Sequence, residues 1–246
     1  DGAIDANGPK QGRQLNTNVD KQAYQVGFND ATNGYAEAQG NPDDKSRADQ
    51  TTNAGLAYAG ASAAFNDVAE GKPGEHAQTI ADFVYQNAYS KALSEGKANA
   101  NQGATAFGQG HTLSDDTKQF ASSGAKVKDY TKGYNDAQTA FAAAQSDASQ
   151  IDQHKSESDF DEVYSGAANA FNDISNHTIG QHRNASSNPA YVAAYDKALT
   201  SGQSNTQDGA LTYLTDIQDY DKKMDSFTTQ AEKNSFATGF NDAKKG

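Results

Sequence analysis

Aromatic and alanine positions recur along this chain at helical spacing. Tyr24, Phe28, Ala31, Tyr35 and Ala38 fall at i, i+4, i+7, i+11 and i+14, and Tyr130, Tyr134, Ala137, Phe141 and Ala144 repeat the pattern. Each set is one stripe of an α-helix. Tyr164, Ala168, Phe171 and Ile174 make a further stripe, as do Tyr85, Tyr89 and Ala92, and Tyr191, Tyr195 and Ala198. Strand-type alternation is nearly absent, and β-branched residues are scarce. Breaks fall at Gly-Asn-Pro (40–42), Gly-Lys-Pro-Gly (71–74), Gly-Gln-Gly-His (108–111) and Asn-Pro (188–189). Ser114-Asp115-Asp116 has the composition of a helix start.

The stripes are copies of one another. Tyr24-Gln-Val-Gly27-Phe28-Asn29-Asp30-Ala31 returns as Tyr130-Thr-Lys-Gly133-Tyr134-Asn135-Asp136-Ala137, then as Phe236-Ala-Thr-Gly239-Phe240-Asn241-Asp242-Ala243, at offsets of 106 and 106. The phrases beginning at Tyr58 and Tyr85 return at Tyr164 and Tyr191 with the same offset, and His76 is the partner of His182. A gap-free alignment of 24–129 on 130–235 gives 29 identities in 106 positions. That level, concentrated at aromatic, Gly and Ala positions, marks two tandem copies. The domain reading is an N-terminal lead (1–23), repeat 1 (24–129), repeat 2 (130–235) and the opening of a third repeat (236–246). An end inside a third copy leads us to expect a longer parent protein.

The expected fold is all-α: tandem three-helix-bundle repeats of about 106 residues, joined by a continuous helix and forming an elongated monomer. The helix carrying the Tyr-x-x-Gly phrase is expected from about Thr117 to Gln145, across the repeat boundary. A helical solenoid is the alternative. The period is similar to that of spectrin repeats, although the chain lacks Trp.

Composition first argues against folding, then for a particular kind of fold. Leu, Ile, Val and Phe together make up about 13% of the chain, under the roughly 20% below which disorder is expected. The 42 Ala and 12 Tyr residues change that reading. Ala is the best helix former, and Ala, Gly and Tyr at stripe positions suit slender helices with thin cores. A net charge of −12 and a pI of 4.7 argue against nucleic acid and polybasic membrane binding. No apolar run approaches the roughly 20 residues of a membrane span. With no Cys, disulfides and thiolate metal sites are excluded.

Tyr-x-x-Gly-[Phe/Tyr]-Asn-Asp-Ala on an Ala-, Gln-, Asn- and Ser-rich helix resembles tandem repeats of secreted and wall-attached surface proteins of lactic acid bacteria. The resemblance covers essentially residues 24–246. It implies an extracellular, Gram-positive cell-surface or cell-wall location and an adhesive or stalk role. The implied partners are a host glycoprotein, extracellular matrix or polysaccharide.

Candidate chemistry is sparse. [Phe/Tyr]-Asn-Asp recurs at 28–30, 65–67, 134–136, 171–173 and 240–242. Five copies argue for architecture, with Asn-Asp on the flank of a packed helix, over a Ca²⁺ or sugar site. An EF-hand register over Asp1–Gly8 puts Ala3 and Gln14 at ligand positions, and both fail. The five His residues form no His-x-x-x-His pair, and nucleophile elbows and phosphate loops are missing. We expect no catalytic residue, no metal and no cofactor. Tyr35, Tyr89 and Tyr195 lie at stripe edges and are the candidates for exposed, sugar-stacking rings. The functional expectation is a non-enzymatic adhesive or spacer module. The alternative is a linker or wall-targeting region of a larger secreted glycan-active enzyme.

Overall fold

The computed structural model describes residues 1–8 and 15–246. Gln14 and residues 9–14 of the N-terminal lead lie outside the described residues. The protein is all-α, with 75% helix and no strand among the described residues. In chain order the helices are α1 (Gly2–Asn7), α2 (Asn18–Gly40), α3 (Asn53–Ala69), α4 (Phe83–Gln109) and α5 (Leu113–Lys118), followed by α6 (Gly124–Ser146), α7 (Asp159–Ser175), α8 (Pro189–Thr215), α9 (Tyr220–Ser226) and α10 (Gln230–Lys245). None of them is long and apolar enough to cross a membrane.

The helix starts are chemically marked. Thr17 and Asp20 close a capping box on α2, and Thr229 and Glu232 do so on α10. Thr52 caps α3, Ser158 caps α7, and Asn188 precedes the Pro at the start of α8. The expected helix from Thr117 to Gln145 is corrected at its start, because α6 begins at Gly124. Ser123 caps it, its Oγ accepting from the Lys126 amide at 3.3 Å, and the Ser123 amide turns back to the Phe120 carbonyl at 2.8 Å. A local serine hydrogen bond thus starts the helix at Gly124, ahead of Tyr130, where the aromatic and Ala stripe begins. What precedes is the separate short helix α5.

The chain divides into two compact units, Asp1–Ala100 with Ser114–Lys132, and Asn101–Leu113 with Gly133–Gly246. In the first unit Ala31, Tyr35 and Ala38 of α2 pack with Tyr58, Ala61 and Phe65 of α3 and with Tyr85, Ala88 and Tyr89 of α4. In the second, Ala137, Phe141 and Ala144 of α6 pack with Tyr164, Ala167 and Phe171 of α7 and with Ala194, Tyr195 and Ala198 of α8. Each fully buried ring supplies roughly 1.5–3 kcal/mol. Ala and Gly supply proximity instead of bulk. A Cβ at Gly60 would run into the Tyr85 carbonyl, and one at its counterpart Gly166 would run into the Tyr191 carbonyl.

Candidate functional site

The most regular polar constellation lies where α3 and α7 end. Asp67, on the last turn of α3, is buried at 2% exposure. Its carboxylate accepts from the His76 backbone amide at 2.9 Å, His76 Nδ1 at 2.5 Å and the Tyr89 hydroxyl. The Tyr85 hydroxyl donates to the His76 carbonyl at 2.9 Å. The second unit repeats this at Asp173, 1% exposed. Its donors are the His182 amide at 3.1 Å, His182 Nδ1 at 2.6 Å, the Tyr195 hydroxyl at 2.6 Å and Thr178 Oγ1 at 3.1 Å. Tyr191 caps the His182 carbonyl at 2.7 Å.

These contacts place a charged acceptor inside the fold with its lone pairs filled. Burial raises the Asp67 carboxyl, but hydrogen bonds from Tyr89 and His76 outweigh it and hold the group below the usual range. Asp173 is held down in the same balance by Tyr195 and His182. His76 is raised, chiefly by its hydrogen bond to Asp67. Burial and the bond to Asp173 push the Tyr195 hydroxyl up to about 12.

The residue before each aspartate holds the opposite loop. Asn66 Nδ2 donates to the Pro42 carbonyl at 3.4 Å, and Asn172 Nδ2 donates to the Ala148 carbonyl at 3.1 Å. The Tyr58 hydroxyl adds a bond to the Asn41 carbonyl at 2.7 Å, and Tyr164 bonds its counterpart, the Asp147 carbonyl. In α3 and α7, Asn-Asp is thus a pair of staples, the Asn to the loop before the helix and the Asp to the loop after it. At Asp30 of α2 and Asp242 of α10 the same motif is exposed.

The candidate aromatic rings are corrected. Tyr35, Tyr89 and Tyr195 are buried, at 3%, 1% and 0% exposure. Their hydroxyls are engaged inside: Tyr35 donates to Glu95 at 2.8 Å, and Tyr89 and Tyr195 donate to the two aspartates. Facing Ala and Gly on neighbouring helices, they are core rings with satisfied polar tips. The structure brings Tyr89 and Tyr195 to equivalent nodes and puts Tyr35 elsewhere.

Asp67, Glu75 and His76 bring one ligand atom each within 4.8 Å of one another. His76 Nδ1 is already committed to Asp67, and Lys72 lies 3.4 Å from Glu75. The second unit has Gln181 where the first has Glu75. Within this group Asp67 and His76 hold the loop after α3. His177 and His182 engage different partners, Asp242 at 3.0 Å and Asp173.

The buried acid Asp129 has no acidic counterpart one period on. Asp129 of α6 is fully buried, and neither carboxylate oxygen has a hydrogen-bond partner; nor has the buried Nδ2 of Asn99 beside it. Burial pushes this carboxyl up to about 7, with the charge of Glu95 adding to the rise and Asn99 and Lys128 opposing it. The matching position in the second unit is Ser235. Sequence reasoning missed Asp129 because it is unrepeated. It missed the nodes because Asp67 and Asp173 read as flank positions, although their alignment with His76 and His182 was a usable signal. No family model, no curated protein and no solved structure matches this chain, so its functional reading rests on these nodes and on the units that carry them.

Proposed function

We propose that the chain is a non-enzymatic spacer built from tandem units, each of three helices, in a bacterial cell-surface protein. One observation carries the reading: the same Asn-Asp, His and Tyr residues staple the same two loops in both units, 106 positions apart. Polar residues that a ligand-binding protein would present are used here to hold loops. Aromatic residues that a glycan platform would expose are used as core. α2, α3 and the first part of α4 correspond residue by residue to α6, α7 and the first part of α8, and we read each set as one unit of the repeat. Near-independent units of this kind suit a stalk whose length is set by copy number. The resemblance to wall-attached proteins of lactic acid bacteria supports the surface location.

The test is a glycan, mucin and matrix-protein array probed with residues 1–246. A spacer gives no saturable retention on any spot. Retention that titrates, and that is lost on changing one exposed side chain, would make the module adhesive.

A further inference from the structure

One helical stripe is used three times, and it is covered only twice. Ala125, Asp129, Tyr130 and Gly133 of α6 are all buried, and so are Ala231, Ser235, Phe236 and Gly239 of α10. The corresponding residues of α2 are Val19, Ala23, Tyr24 and Gly27. Val19 is 73% exposed, Ala23 is exposed, and Tyr24 and Gly27 are only half-buried. A stripe built to be covered is therefore open at α2.

The second unit shows what covers it. On α10, a Cβ at Gly239 would meet the Thr206 backbone of α8, and a Cβ at Gly209 of α8 would meet the Phe236 carbonyl. Thr206 Oγ1 also donates to the Ser235 carbonyl at 3.2 Å. On α2, the last part of this packing is present. A Cβ at Gly2 would meet the Tyr24 carbonyl and the Phe28 amide nitrogen, two periods before Phe236 and Phe240. The local sequences agree: Asp1-Gly2-Ala3-Ile4 matches Asp208-Gly209-Ala210-Leu211. α1 thus takes the place of the end of a long helix such as α8. A Cβ at Gly27, the counterpart of Gly239, would meet Ala3 and Asn53 at 3.3 and 3.7 Å, without the close backbone contact that Thr206 makes in the second unit.

A cleft of about 570 Å³ lies at that position, bordered by Asp1, Ala23, Gly27, Asn53, Asp82 and Phe83. In the second unit the counterparts of Asn53 and Asp82 are Asp159 and Asn188. Both accept from Asn101 Nδ2 of α4 at 2.8 Å, two residues before Gly103. So two separate comparisons, with the end of α8 and with the end of α4, put the same long-helix turn into the same cleft.

We infer that this face of α2, continuous with the α1 interface, is a docking surface for the long helix of another unit of the same repeat, entering through α1. The partner is an Ala-, Gly- and Thr-faced helix with an Asn or Gln amide two residues before its Gly-Ala. The inference rests on the repeat reading but not on the spacer role. Binding on a glycan array would overturn the latter and leave the former standing.

The test places residues Pro189–Gln207 directly before Asp1 of the full chain, in register with Asp1-Gly2-Ala3. Hydrogen exchange should then slow by about tenfold or more in both the added helix and residues 19–27. Unit 1 should also melt later. Ala23→Arg in the extended chain should abolish both effects. Exchange of the added segment at the unprotected rate would overturn the inference. So would equal protection from a scrambled extension of the same composition, or protection in the unextended chain that rises with concentration, which would make the occupant a second copy.

Discussion

A buried carboxylate is costly unless its oxygens are filled, and the chain contains both cases. Asp67 and Asp173 receive donors from a backbone amide, an imidazole and a phenol, and stay ionised. Asp129 receives none and is pushed up to about 7. Proton linkage then has a defined sign. Between the ordinary carboxylate range near 4 and the folded value near 7, the folded chain binds the proton that the unfolded chain has lost. Stability falls as pH rises across that window, by ~4 kcal/mol at most. His76, also raised, adds a loss in the same direction as pH climbs through its folded value. Asp67 and Asp173, both lowered, give the opposite loss below the ordinary carboxylate range. Urea titrations from pH 4 to 8 should show unit 1 weakening towards pH 8, and Asp129→Asn should remove most of that slope. An unchanged slope in the variant would assign it to other groups.

At the scale of elements, small residues set how closely the helices approach. A methyl at Gly60 or Gly166 points at a carbonyl on the facing helix. Gly60→Ala and Gly166→Ala should each cost roughly 1–3 kcal/mol through overpacking, read by thermal melts. Equal stability would mean that the two helices separate freely. This layer was largely legible in the sequence. The stripes at 24–38, 130–144, 164–174 and 191–198 all fall on helices, and their Ala and aromatic members beyond Tyr24 and Phe28 fill cores, apart from the partly exposed Tyr134. The start of α6 was not legible, because the stripe begins only at Tyr130 and Ser123 caps the helix ahead of it. The stapling roles of Asp67 and Asp173 were hidden for a different reason. The motif that carries them also occurs on α2, α6 and α10, where the same letters lie on a different face. Tyr35, Tyr89 and Tyr195 were misjudged as exposed because stripe edges lie towards solvent on an isolated helix. Here the edge is closed by Glu95 or by the stapled loop.

For the whole molecule, thin cores of Ala and Tyr are completed by loop staples that recur with the repeat. Hydrogen exchange of the full chain in three forms, wild type, Asp67→Ala and Asp173→Ala, tests this most directly. Removing either carboxylate strands buried donors and should cost about 2–4 kcal/mol in its own unit. We predict that Asp67→Ala deprotects residues 70–82 and the end of α3, and that Asp173→Ala deprotects residues 176–188 and the end of α7, to a similar degree. Loops that keep their wild-type protection in both variants would contradict the account.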